Sequence, residues 1–174
     1  ITAITNVSCF GTATGSATVT ATSGTSPYTY SWNTSPVQTT ATASGLNAGS
    51  YIVTVTDTLG CTDTALAVIT QPTVLNASIA ASANVNCFGG NNGTASLNVT
   101  GGTTPYTYSW NTSPAQTTAA VSNLAAGTYI ATVTDAKGCT DTAVVVITQP
   151  ALLNASISSS NNVRCFGEQS GNAT

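Results

Sequence analysis

Apolar side chains alternate with threonine along much of the chain. Ala17, Val19 and Ala21, for example, are separated by Thr18 and Thr20. This two-residue period is typical of a β-strand with one buried and one exposed face, whereas no segment has the spacing of an amphipathic helix. The pattern therefore predicts an all-β protein.

One predicted strand carries its aromatic residues on a single face. Tyr28, Tyr30 and Trp32 alternate with Thr29 and Ser31, so the three rings share one side. Rings on one face either pack in a core or, if exposed, form a platform on which sugars stack. We expect them to pack in the core.

Turn signals separate the remaining predicted strands, up to about residue 72. Residues 45–50 predict a turn, residues 51–56 alternate again, and residues 57–60 (Asp-Thr-Leu-Gly) predict a tight reversal into a last strand. That strand ends at Gln71-Pro72, because proline cannot donate to the ladder. Six or seven short strands per unit predict a β-sandwich.

The unit repeats without insertion or deletion. Cys9, Cys87 and Cys165 each precede Phe-Gly and lie 78 residues apart, and the same offset relates Cys61 to Cys139. We therefore expect a truncated first repeat over residues 1–72, a second over 73–150 and the start of a third over 151–174. Since both ends fall inside a repeat, we expect a fragment of a longer array, with targeting and anchoring segments outside it.

The order of motifs in each copy resembles a known family. Asn-Val-x-Cys-Phe-Gly, Pro-Tyr-Thr-Tyr-Ser-Trp, Leu-x-Ala-Gly-x-Tyr, Val-Thr-Asp-x-x-Gly-Cys and Ile-Thr-Gln-Pro follow one another, as in the SprB-type repeat of Bacteroidetes surface proteins. The resemblance implies tandem immunoglobulin-like sandwich modules of about 78 residues. It also implies very long cell-surface adhesins, including those of gliding motility, exported by the type IX secretion system.

The cysteines predict disulfides and hence an oxidising, extracellular location. One regular pairing stays inside modules, Cys9 with Cys61 and Cys87 with Cys139, and leaves Cys165 to pair beyond this fragment. The other crosses the Gln-Pro boundary and joins Cys61 to Cys87 and Cys139 to Cys165. In the chain-entropy model, the disulfides of either pairing would each stabilise the fold by roughly 3–4 kcal/mol, so stability does not distinguish the two pairings. We expect the pairing inside modules.

Composition excludes several partners. Charged residues make up 4% of the chain, and Lys137 and Arg164 are its two basic residues. No basic patch can form against phosphates, so nucleic acid and anionic membrane surfaces are excluded as partners. An almost uncharged surface instead favours contacts with neighbouring repeats, lateral self-association or surface polysaccharide.

The sequence offers no catalytic or cofactor site. Asp57 and Asp63, like Asp135 and Asp141, flank a turn and could in principle hold calcium or act as an acid and base. An aspartate that begins a turn more commonly accepts backbone N–H groups. With no histidine in the chain, general-base chemistry has almost no candidates, so we expect a protein that is not an enzyme and has neither metal nor cofactor.

Three threonines follow aspartate and precede an apolar residue. They resemble the Asp-Ser/Thr-apolar site of O-glycosylation in the same bacterial phylum, and they are Thr58, Thr64 and Thr142. The sequence as a whole predicts a structural stalk repeat of an extracellular adhesin or surface filament. The alternative is a glycan-binding repeat that acts by multivalency.

Overall fold

The computed structural model describes residues 1–162, 165–167, 169 and 171–173. In these residues the chain forms β-strands and no helix. The first module contains β1 (Ala3–Thr5), β2 (Gly15–Thr18), β3 (Thr29–Trp32), β4 (Thr42–Leu46), β5 (Gly49–Thr56) and β6 (Thr62–Ile69). The second contains β7 (Asn76–Ala83), β8 (Gly93–Thr100), β9 (Thr107–Trp110), β10 (Ala120–Leu124), β11 (Gly127–Thr134) and β12 (Thr140–Ile147). A short pair, β13 (Ser160–Asn161) and β14 (Asn172–Ala173), follows.

Each module consists of two three-stranded antiparallel sheets. In the first module the sheet orders are β1-β2-β4 and β3-β5-β6, and in the second they are β7-β8-β10 and β9-β11-β12. With the six strands lettered A, B, C, E, F and G, this is the A-B-E and C-F-G arrangement of the immunoglobulin sandwich, lacking strand D. The predicted all-β, immunoglobulin-like fold is confirmed.

The alternating residues fill the space between the sheets. Ala17, Val53 and Ala67 are fully buried in the first core, and a separate core forms from the equivalent residues of the second module. Trp32 is also fully buried, and its indole N–H donates to the carbonyl oxygen of Thr40 at 2.9 Å. The prediction that the aromatic strand packs in the core is confirmed for this residue.

A tyrosine corner fixes the connection between β4 and β5. The Tyr51 hydroxyl donates to the carbonyl oxygen of Asn47 at 3.1 Å, and Tyr129 donates to Ala125 at the same distance. In antibody domains a cysteine follows two residues after this tyrosine and bridges the two sheets. Here that position is the buried Val53, so the space between the sheets is filled by apolar packing.

Candidate functional site at the module junction

The loop that carries Cys9 is fastened to the end of β6. The backbone N–H of Val7 donates to the Thr70 carbonyl at 3.0 Å, and that of Gly11 donates to Oε1 of Gln71 at 2.9 Å. Gln71 belongs to the Gln-Pro pair that closes the module, and its side chain thereby ties the Cys-Phe-Gly loop to that end. The sequence singled out Gln71 as part of a boundary, and its clamping role was missed because the partner lies 60 residues away.

The hairpin cysteine lies at the opposite end of the same strand. Cys61 directly precedes β6, and Cys139 directly precedes β12. Each sits in a turn organised by an aspartate, as turn chemistry predicts. In the second module, Oδ1 of Asp135 accepts the N–H groups of Lys137 at 2.8 Å and Cys139 at 2.9 Å, and Oδ2 accepts that of Thr103 at 2.8 Å.

These hydrogen bonds lower the pKa of the turn aspartates. For Asp57 the largest cause is the N–H of Thr25, aided by those of Cys61, Leu59 and Gly60. For Asp135 burial raises the pKa, but the N–H groups of Thr103, Cys139, Lys137 and Gly138 together outweigh it and the pKa is lowered. Both aspartates therefore stabilise their hairpin turns in the ionised form, by accepting backbone N–H groups.

A disulfide joins the two modules. Cys9 of the first module is bonded to Cys139 of the second, with an S–S distance of 2.04 Å and the Cα atoms 5.6 Å apart. The Cys139 sulfur also lies 3.4 Å from the carbonyl oxygen of Ser8. The far end of module one, where the Cys9 loop is fastened, thus meets the near end of module two, where the hairpin turns.

The expected pairings Cys9 with Cys61 and Cys87 with Cys139 are wrong in this structure. A strand of eight residues separates the Cys9 loop from Cys61, and eight residues of strand span about 26 Å. A disulfide needs Cα atoms within about 7 Å. The alternative pairing fails as well, because Cys139 is already bonded to Cys9 and because Cys61 and Cys87 lie at the two outer ends of the pair of modules.

The segment that leads into the second module, residues 73–77, completes the junction. The carbonyl of Thr73 accepts the N–H of Gly102 at 3.0 Å, and the N–H of Ala77 donates to Oδ2 of Asp141 at 2.7 Å. Gly101 has a φ of 70°, and a Cβ there would clash with the Val74 carbonyl oxygen. Asp141, considered from sequence as half of a cation or acid–base pair, is thus engaged with the start of its own module.

The remaining cysteines are free thiols among the described residues. Cys61, Cys87 and Cys165 are all exposed. The partner expected for Cys165 beyond residue 174 stays a prediction. No group of three or more His, Cys, Asp or Glu side chains that could hold a metal ion occurs in the described part of the chain.

The three candidate glycosylation threonines differ in their surroundings. All are exposed, but the Thr58 hydroxyl donates to the carbonyl oxygens of Thr25 at 2.7 Å and Ser26 at 3.2 Å. Thr64 and Thr142 lie on the outward face of β6 and β12. Modification of the three stays a prediction, and the two strand positions are the sterically open ones.

The comparison with solved structures returns immunoglobulin-domain proteins. A Dscam structure concerned with isoform specificity shares 16% identity over 71% of this chain, with a TM-score of 0.36, and the chain spans 38% of its length. The amphioxus IgVJ-C2 molecule shares 14% identity over 77% of this chain and 95% of its own, with a TM-score of 0.36. Dpr11 bound to DIP-gamma shares 14% identity over 86% of this chain and 98% of its own, with a TM-score of 0.35. At these scores the fold assignment rests on the strand topology.

Sequence comparison identifies the repeat. No curated protein matches the chain. No helix in the described residues has the length and apolar character needed to cross a membrane. The family model of the SprB repeat matches residues 1–37 and 79–115, two segments that begin 78 residues apart like the cysteines. Each of the two modules therefore contains a segment that matches the SprB repeat.

Proposed function

We propose that this chain is part of the structural stalk of a large extracellular bacterial adhesin or surface filament. The observation that carries the proposal is the Cys9–Cys139 bond between consecutive modules. A bonded junction limits the angle between neighbours, so tandem copies would form a stiff rod whose reach scales with copy number.

The disulfide also supports an extracellular location. Disulfides persist in the periplasm, on the cell surface and in the medium, and are rare in the cytosol. The match to the SprB repeat supports a cell-surface protein. Export by type IX secretion, a role in gliding motility and glycosylation are the finer parts of the proposal, and they rest on the resemblance of the repeat.

The outward sheet face supports contacts between neighbouring rods. Ile52, Leu66 and Val68 are exposed on β5 and β6, and Ile130, Val144 and Val146 repeat the pattern on β11 and β12. An apolar stripe that recurs once per module on an almost uncharged surface suits lateral self-association better than nucleic acid. Neighbouring repeats of the same chain are the first proposed partners.

Glycan binding is the alternative function, and the buried tryptophans weigh against it. A stacking platform needs exposed rings, whereas Trp32 and Trp110 are 0% and 2% exposed. Surface polysaccharide could still contact the Thr- and Ser-rich faces.

Copy deletion in the parent protein tests the stalk. Removing one 78-residue copy should shorten the surface projection seen by electron microscopy by one module, roughly 35–40 Å, and leave adhesion per projection unchanged. A matched control replaces the copy with an unrelated immunoglobulin-like module and should restore the length. Loss of adhesion in both variants, together with saturable glycan binding by this chain, would favour the alternative.

A further inference from the structure

Cys61 and Cys87 are exposed thiols at the repeat positions equivalent to the two cysteines that are bonded. Cys87 is the counterpart of Cys9, and Cys61 is the counterpart of Cys139. The Cys9–Cys139 bond therefore shows that each free cysteine can form a disulfide when the matching end of another module lies against it.

The Cys87 loop has the geometry of the Cys9 loop. The N–H of Val85 donates to the Thr148 carbonyl at 3.0 Å, and the N–H of Gly89 donates to Oε1 of Gln149 at 2.7 Å. These are the contacts that fasten the Cys9 loop to Thr70 and Gln71. Cys87 is thus presented at the outer end of module two.

The Cys61 hairpin has the geometry of the Cys139 hairpin. The N–H of Cys61 donates to Oδ1 of Asp57 at 2.9 Å, and its carbonyl accepts the N–H of Asp57 at 3.0 Å. The same two bonds link Cys139 to Asp135 at 2.9 Å each. Cys61 is thus presented at the outer end of module one.

A cavity of about 310 Å³ opens beside Cys61. Its lining includes Ile1, Val19, Tyr28, Asp57, Cys61 and Asp63. At the corresponding place in module two, residues 73–77 contact Gly102 and Asp141. The cavity of module one thus lies at the place that the leading segment fills in module two.

A matching segment lies at the other end of the chain. Residues 151–155 (Ala-Leu-Leu-Asn-Ala) are equivalent to residues 73–77. Leu153 is 92% exposed, whereas its counterpart Leu75 is half-buried and lies near Gly102. At one end of the two modules Cys87 is exposed, and at the other end Cys61 lies beside the cavity.

We propose that Cys87 and Cys61 are the two halves of further inter-module disulfides, each bonded to another copy of this module. Cys87 bonds the hairpin cysteine of the following module, and Cys61 bonds the loop cysteine of the preceding one. Every junction of the array is then locked as Cys9–Cys139 locks this one. These bonds would form in a stalk and in a glycan-binding array alike, so they stand apart from the proposed function.

The bond forms by exchange with a disulfide oxidant, either a low-molecular-weight disulfide or an oxidoreductase. The Cys87 thiolate attacks one sulfur of the oxidant, whose S–S bond breaks and releases one thiol. The Cys61 thiolate then attacks the mixed disulfide and releases the second thiol. One S–S bond breaks and one forms, two electrons pass to the oxidant, and the two cysteine protons end on its thiols.

The experiment incubates this chain, with the Cys165→Ser change, at high concentration in a glutathione redox buffer. Cleavage before each aspartate separates the cysteines into residues 1–56, 57–62, 63–134, 135–140 and 141–174, so every bond can be assigned by mass. We expect covalent head-to-tail oligomers in which 57–62 is linked to 63–134, while 1–56 stays linked to 135–140. Cys61→Ser and Cys87→Ser should each abolish the oligomers and leave the Cys9–Cys139 bond intact.

Three results would overturn the proposal. The first is oligomers joined by like peptides, 57–62 to itself or 63–134 to itself. The second is a monomer with Cys61 bonded to Cys87 in the same chain. The third is a monomer in which both cysteines carry glutathione, since that would show reactive thiols with no directed partner.

Discussion

Cys9 and Cys139 are bonded across the boundary between two modules although 130 residues separate them in the chain. Each half of the bond is positioned by its own module. The Cys9 loop is fastened by Gln71 at the end of β6, and Cys139 is held in its turn by the Asp135 carboxylate. Motifs that appear unconnected in the sequence, Cys-Phe-Gly, Gln-Pro and Asp-x-x-Gly-Cys, thus serve one junction.

Close packing at Gly93 gives a first prediction. A Cβ there would lie 2.7 Å from the Leu124 carbonyl oxygen and 2.8 Å from Cγ2 of Ile147. Gly93→Ala should therefore destabilise module two by about 1–3 kcal/mol, the usual cost of overpacking. Gly127→Ala is the matched control, since its Cβ would meet the Tyr129 ring at an ordinary 3.8 Å. Urea unfolding measures both, and equal midpoints would contradict the packing.

The tyrosine corner gives a second prediction, on the stability of each module. Tyr51→Phe removes the hydroxyl that donates to Asn47 and should lower the free energy of unfolding of module one by about 0.5–1.5 kcal/mol. Tyr129→Phe should do the same in module two, where the bond to Ala125 is equally long. Thermal unfolding of both variants checks the equivalence, and an unchanged midpoint in either would exclude a stabilising corner in that module.

Acid should weaken the hairpin ends. Because the folded-state pKa of Asp135 lies below its ordinary value of 3.8, ionisation stabilises the fold above that pH. The contribution is lost as the pH falls through the lower, folded-state pKa. Asp135→Asn should be less stable than the parent at pH 7, and the difference should shrink below about pH 4. Unfolding midpoints between pH 2 and 7 test this, and a difference that stays constant would contradict it.

Glycosylation should favour the strand positions. Thr64 and Thr142 are open on the outward sheet face, whereas the Thr58 hydroxyl is engaged by two carbonyl groups. In protein isolated from its source we expect added sugar mass on Thr64 and Thr142 and little or none on Thr58. Cleavage before aspartate places Thr58 and Thr64 in different peptides. Occupancy highest at Thr58 would contradict the expected order.

Local sequence patterns predicted the strands and the core of each module. They did not predict the cysteine pairing at the junction. Alternation placed Ala17 and Trp32 in the core because a half-buried strand repeats every two residues. The cysteine pairing could not be read in the same way, because spacing does not tell where the Cys9 loop docks. Once Gln71 places that loop at the end of β6, the strand length alone excludes Cys61 as its partner. The missing information was a contact between residues 60 apart, which no local pattern encodes.

The most direct test of the inter-module bond is a non-reducing digest of the 174-residue chain with a protease that cuts before aspartate. Each of the five cysteines falls in its own peptide, so a single mass spectrum assigns the pairing. The structure predicts one linked species that joins residues 1–56 to residues 135–140 and disappears on reduction. A species joining 1–56 to 57–62, the bond within a module, would contradict it.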